Sequence, residues 1–186
     1  MPKDNRSTFE RCPIIKSNTG FTLVEILVVM GLIAIIIAVA IPNVTIWRQN
    51  AQLTGIARDI YGSLQEAKVE AIKRRENCAI IFYTDKYVVY VDANPAPPGS
   101  PDFDPAGEEV IKTVFLSDYG QVMFDTSQGG GDGLTFINPT DGFAFYANGL
   151  PINKDGVMPT GKIYLKHVNN KTAIVTVSPA GSIRLN

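Results

Sequence analysis

Glu25 is the residue whose setting demands the most explanation, because from Phe21 to Ile41 it is the one charge in an otherwise apolar run of about 21 residues. A carboxylate at the centre of a bilayer costs about 2.5–3.5 kcal/mol, so a helix N-terminus or a cationic partner has to offset it. Other residues capable of chemistry are sparse. His167 is the single histidine, and with no second imidazole and no cysteine pair beside it there is no transition-metal set. The glycine run at 129–133 does not lead from a strand into a helix, which rules out a phosphate loop. Serine, histidine and aspartate occur as types, but no nucleophile elbow gathers them. Asp102, Asp104, Glu108 and Glu109 crowd one stretch, with Asp132 and Asp141 in others. Such oxygen donors suit Ca²⁺, yet an exposed acidic loop is ordinarily just solvated. Neither catalysis nor a metal or cofactor is expected.

The elements that carry these residues follow from hydropathy and period. At 1.5 Å per residue the run from Phe21 to Ile41 is long enough to cross a hydrocarbon core of roughly 30 Å. Before it, Lys3, Arg6, Arg11 and Lys16 stand against Asp4 and Glu10, so the positive-inside rule keeps the N-terminus in the cytoplasm and sends the rest outside. Ala38-Val39-Ala40 is the kind of triplet an ordinary signal peptidase cuts. Secretory apolar regions, however, usually run about 7–15 residues, shorter than this one.

Pro42 then predicts a kink rather than an end. The helical period resumes with Leu53, Ile56, Ala57, Ile60, Leu64, Ala67 and Ala71 at spacings of three and four. One helix is therefore expected from about Phe21 to about Arg75. Gly31, Ala34, Ala38, Gly55 and Gly62 along it are either close-approach points for neighbouring helices or ordinary membrane and core choices. Glu70 and Arg74 form an i, i+4 pair.

Past the helix the period falls to two. Strands are expected at 78–83, 87–92, 110–117, 121–125, 134–138, 143–146, 162–168, 172–178 and 182–185, with turns at 84–86, 129–133, 138–142, 169–171 and 179–181. The proline-rich stretch 93–105 reads as a long exposed loop and the first guess for partner contact. Short strands at this spacing with no second long helix imply antiparallel sheets, an α+β chain.

Gly20 followed by Phe21-Thr22-Leu23-Val24-Glu25 and an unbroken apolar helix resembles the class III signal of type IV prepilins and type II secretion pseudopilins. The resemblance implies that a prepilin peptidase cuts after Gly20 and N-methylates Phe21, while the apolar segment stays on the mature protein. It also implies that Glu25 pairs with the Phe21 amine of a neighbouring subunit when a filament forms. The alternative is that Glu25 only reaches the cytoplasmic headgroups. The segment Glu66-Ala67-Lys68-Val69-Glu70-Ala71-Ile72-Lys73-Arg74-Arg75 and the closing Ser178-Pro179-Ala180-Gly181-Ser182-Ile183-Arg184 are similar to the branch holding minor pseudopilin H and the FimT minor pilins.

The implied organisation is a cleaved leader at 1–20, a transmembrane helix at 21–41, its amphipathic continuation at 42–76, and a β-rich head at 77–186. The implied fold is pilin-like: a long N-terminal helix packed on a C-terminal antiparallel β-sheet or sandwich. The implied role is that of a structural minor pseudopilin of type II secretion, with prepilin peptidase, other pilins or pseudopilins, and inner-membrane lipid as partners. The alternatives are a FimT-like type IV minor pilin serving pilus assembly or DNA uptake, and, from another class, a singly anchored periplasmic binding or enzymatic domain.

Composition adds two limits. The whole chain has 17 basic and 18 acidic side chains, and losing the four basic and two acidic residues of the leader leaves a balance of −3. A mildly acidic chain disfavours bulk attraction to nucleic acid. Relatives that bind DNA do so through a basic C-terminal region, for which Lys162, Lys166, Lys171 and Arg184 are the matching residues here, although only Arg184 is an arginine near the closing hairpin. Of the two cysteines, Cys12 would leave with the leader. Cys78 would then stand alone and is expected in the core.

Overall fold

A computed structural model describes residues 20–93, 103–136, 142–153 and 160–186. The expected leader therefore lies outside the described residues up to position 19. So do most of the 93–105 loop, residues 137–141 of the expected turn at 138–142, and the side chain of Pro42. The chain divides into two compact units, Met1–Pro42 and Asn43–Asn186.

Helix α1 runs Leu23–Arg74, and its backbone stays helical through Pro42. It starts where it does because Thr22 caps it: the Glu25 amide donates to Thr22 Oγ1 at 3.2 Å and to the Thr22 carbonyl at 3.1 Å. Thr22-Leu23-Val24-Glu25 has the spacing of a capping box, in which a threonine side chain satisfies an amide that the helix cannot. The helix ends as Arg75 turns left-handed (φ 61°) while its amide still bonds the Ala71 carbonyl at 3.0 Å.

All seven stripe residues, Leu53, Ile56, Ala57, Ile60, Leu64, Ala67 and Ala71, are buried. Within the first unit, by contrast, every described helical side chain is exposed. The amphipathic half finds its partner in its own chain; the apolar half shows no burial there.

The stripe packs on two antiparallel sheets. One has the order β3-β2-β1-β5-β6, from β1 (Asn77–Phe82), β2 (Lys86–Asp92), β3 (Glu109–Phe115), β5 (Gly142–Phe145) and β6 (Pro151–Ile152). The other has the order β4-β7-β8-β9, from β4 (Val122–Phe124), β7 (Gly161–His167), β8 (Thr172–Val177) and β9 (Ile183–Leu185). The result is an α+β fold of one long helix with two antiparallel sheets.

Strand β1 is central to the first sheet, bonded to β2 in a hairpin and to β5 across the sheet. Its residues are buried on both faces, which is why it reads as a continuous apolar run. Cys78, Ile80 and Phe82 face the main core with the helix, while Ala79 and Ile81 join Tyr90, Phe103, Ala144 and Ile152 in a second cluster behind the sheet.

Two sequence expectations fail. Positions 134–136 do not form a strand: Leu134 makes a lone bridge to Ile163 and the Thr135 amide still bonds the Lys162 carbonyl at 3.0 Å, but the Lys162 amide donates to Thr135 Oγ1 at 2.7 Å instead of to its carbonyl, and the ladder goes no further. Phe136 instead turns into the core, stacked on Phe82 and tilted on Phe143. The other miss is that 116–117 leave β3 for a short 3-10 helix, Leu116–Tyr119, while β6 has no counterpart in the strand expectations. Two residues are too few to show a period.

Candidate functional site

The N-terminal candidates sit at the entrance to α1. Gly20 and Phe21 precede it without regular structure, and a side chain at Gly20 would meet nothing within 4 Å. Phe21 is 77% exposed. An accessible, non-helical peptide bond is what a protease needs, and here it is followed at once by the Thr22 cap. Glu25 lies in the first turn of α1, which Thr22 caps. A carboxylate there faces the positive end of the helix dipole. From Leu23 to Ile46 the large apolar side chains are exposed at 45% or more, and the helix is long and apolar enough to cross a membrane.

The small residues of α1 separate into two sorts. A side chain at Gly55 would come within 3.2 Å of the Tyr119 ring, so this glycine is used inside the head. Gly31 and Gly62 meet nothing within 4 Å.

The basic candidates do not converge on one point. Lys162 and Arg184 both register on Thr176, from β7 and β9, and both are exposed on the outer face of the second sheet. Lys166 registers on Met123 and Thr172, four residues along β7 from Lys162, and its charge helps hold the Asp125 carboxyl below the usual range, after the dominant hydrogen bond from Ser127. Lys171 lies in the β7–β8 turn. The second sheet thus joins Lys162 to Arg184 and leaves Lys171 apart. His167 is buried, and the Asn169 amide donates to its Nδ1 at 3.3 Å. Its Nε2 therefore carries the proton and donates to Gln52 Oε1 at 3.2 Å. The imidazole is fully engaged in joining β7 to α1. No group of three metal-ligating side chains occurs among the described residues.

One polar cluster went unread in the sequence. Asp59 on α1 receives the Tyr87 hydroxyl (2.6 Å) and the Lys112 ammonium (2.6 Å), while Ser63 one turn on meets Tyr87 (2.9 Å) and Lys112 (3.2 Å). Burial works to raise the Asp59 carboxyl, but Lys112 and Tyr87 outweigh it and hold the group below its ordinary value. Burial and the neighbouring Asp59 push the Tyr87 hydroxyl up. Through these bonds the cluster clamps α1 to β2 and β3. Its signal was faint: Asp59 and Ser63 are four apart beside the apolar stripe, and Lys112 interrupts an apolar strand.

Comparison with known proteins adds three findings. Residues 15–41 match the family model of the prokaryotic N-terminal methylation motif. No curated protein matches the chain. Among solved structures, the type IV minor pilin FimU of Pseudomonas aeruginosa is similar at a TM-score of 0.51 and 16% identity, over 75% of this chain and 92% of that one. The minor pseudopilin EpsH from the type 2 secretion system of Vibrio cholerae is similar at a TM-score of 0.51 and 12% identity, over 73% of this chain and 96% of that one. The methylation motif thus covers the Gly20–Glu25 signal and the apolar run behind it, and the chain has the pilin-like fold found in minor pilins and minor pseudopilins.

Proposed function

We propose that this chain is a minor subunit of a pilin-type filament, specifically a minor pseudopilin of the H type in type II secretion. In this reading a prepilin peptidase removes residues 1–20 and N-methylates Phe21. The 21–41 segment then holds the subunit in the inner membrane with its head in the periplasm, and the 42–76 continuation carries the 77–186 head. Assembly runs through the Phe21 amine and the Glu25 carboxylate of adjacent subunits, and the filament's growth moves folded proteins outward. The work is contact and assembly, without catalysis.

The observation that carries this reading is the union of the methylation motif with a helix that buries one half of its length in its own head and leaves the motif-bearing half apolar and exposed. Intact mass of the membrane-extracted protein, from cells with and without the prepilin peptidase, tests it. Loss of residues 1–20 and gain of one methyl group only with the peptidase supports the reading. An unprocessed chain, or one beginning near Ile41, sinks it in favour of an anchored or secreted periplasmic domain.

A second reading, a FimT-like type IV minor pilin acting in DNA uptake, draws on Lys162 and Arg184 flanking Thr176 on one exposed sheet face. Salt-dependent binding of duplex DNA that weakens when both are replaced by alanine would favour it.

A further inference from the structure

The end of the head that begins the second unit carries an unassigned combination. Trp47 is the only tryptophan in the chain and is 71% exposed. Beside it Arg48 opens a shallow groove of about 280 Å³, lined also by Thr45, Gln49, Gln52 and Gln121 and by no carboxylate. Arg48 has no ion-pair partner among the described residues.

The β7–β8 turn is fixed against the same stretch of helix. Asn169 Nδ2 donates to Gln49 Oε1 at 2.9 Å, and His167 bonds Gln52. That turn presents Val168, 56% exposed, and Lys171, also exposed and without an ion-pair partner among the described residues. Gln49 gives its oxygen to Asn169 and also lines the groove.

An amphipathic ring, an exposed valine, two cations and amide side chains thus lie at this end of the head, Trp47 lining one groove with Asn50 and Arg58 and Arg48 another with Gln49 and Gln52. The chemistry is that of the bilayer interface, where tryptophan rings collect at headgroup level and a cation attracts anionic lipid. Position along the chain agrees. Trp47 follows Ile41 by six residues, a helical rise of about 9 Å, and helical side chains lean toward the helix N-terminus. Trp47 therefore lies at or just beyond the polar layer, which is roughly 5–8 Å deep on each side of the hydrocarbon.

We propose that this end of the head is a phospholipid docking surface, with a lipid phosphate seated in the groove at Arg48 and the Trp47 ring in the interfacial layer. It holds the head against the membrane before the subunit enters a filament. The proposal rests on the reading of Phe21 to Ile41 as a membrane span.

Trp47 is its own reporter. The processed full chain is reconstituted in vesicles of phosphatidylcholine with or without phosphatidylglycerol, each supplied brominated near the headgroup or near the chain ends. Alkaline extraction of the same vesicles shows whether the chain is inserted. The expected result is a chain that resists extraction, with Trp47 quenched more by shallow than by deep bromine. Brominated phosphatidylglycerol should quench more than brominated phosphatidylcholine, as for a roughly fivefold local enrichment per cation. R48Q should lower that preference about fivefold, the share of one cation, while shallow quenching persists. An inserted wild-type chain with unquenched Trp47, or with equal quenching by the two headgroups, overturns the docking surface and leaves the anchor intact. A chain released by alkali overturns the anchor and the docking surface together.

Discussion

Tyr87 donates its hydroxyl to Asp59 across 2.6 Å, joining the first hairpin of the sheet to the middle of the helix's buried half. Replacing Asp59 by alanine would strip the acceptor from Tyr87 and Lys112 together, leaving Ser63 as their remaining contact. Loss of a partner from a mostly buried polar cluster costs about 1–3 kcal/mol. Urea unfolding of D59A should show a lower midpoint at unchanged slope; an unchanged midpoint would mean that water replaces the carboxylate freely.

The same carboxylate sets a pH dependence. Asp59 is held below its ordinary value in the folded head, so its contribution is present above the unfolded aspartate pKa of about 3.9 and is lost as pH falls through the lower folded value. Stability should therefore decline with acid below about pH 4, with Glu70, Glu109 and Asp125 adding in the same sense. D59N, compared with wild type by unfolding at a series of pH values, should flatten the slope in that window. Parallel curves would remove Asp59 from the account.

Gly161 is required by its neighbour. A side chain there would land on the Phe136 ring, which lies between Phe82 and Phe143. G161A should cost about 1–3 kcal/mol by overpacking, read as a lowered thermal midpoint. G62A serves as the control, since its added methyl meets nothing within 4 Å.

Cys78 is buried beneath the helix end, and burial, aided by the charge of Glu70, pushes its thiol up to about 12. In the processed chain it should resist an aqueous thiol reagent at neutral pH and react once denaturant unfolds the head. Labelling as fast in the native state as in the unfolded one would show that the β1 end opens readily.

Under the filament reading, Glu25→Gln should leave cleavage, methylation and membrane insertion intact while incorporation into filaments falls, because only the charge on the first helical turn has changed. Recovery of the variant in sheared filaments at wild-type levels would rule out an assembly role for the carboxylate.

The helix was legible because seven apolar residues keep one period and one side, and the core strands because β1, β2 and β7 alternate or run apolar between clear turns. The sheet order was not legible: β1 finds β5 about 60 residues on, and local pattern carries no record of such a pairing. The segment at 134–136 looks like a strand because it alternates, yet a threonine hydroxyl intercepts the ladder. The Asp59–Lys112 pair joins positions 53 apart in sequence, so neither residue signals the other. At the N-terminus, by contrast, the candidate residues are sequence neighbours within six positions, and everything that brings them together is local.

Gly62 lies on the uncovered side of the helix's second half, midway between Arg58 and Glu66, both exposed. A glycine inside a helix gives up about 1 kcal/mol relative to alanine, and nothing in the head occupies the space it leaves. The head therefore carries a local weakness with no internal use, on a side of the helix that the described residues leave uncovered. At that position the robustness of the single molecule and its fit to its surroundings are separable properties, and an improvement in the first says nothing about the second.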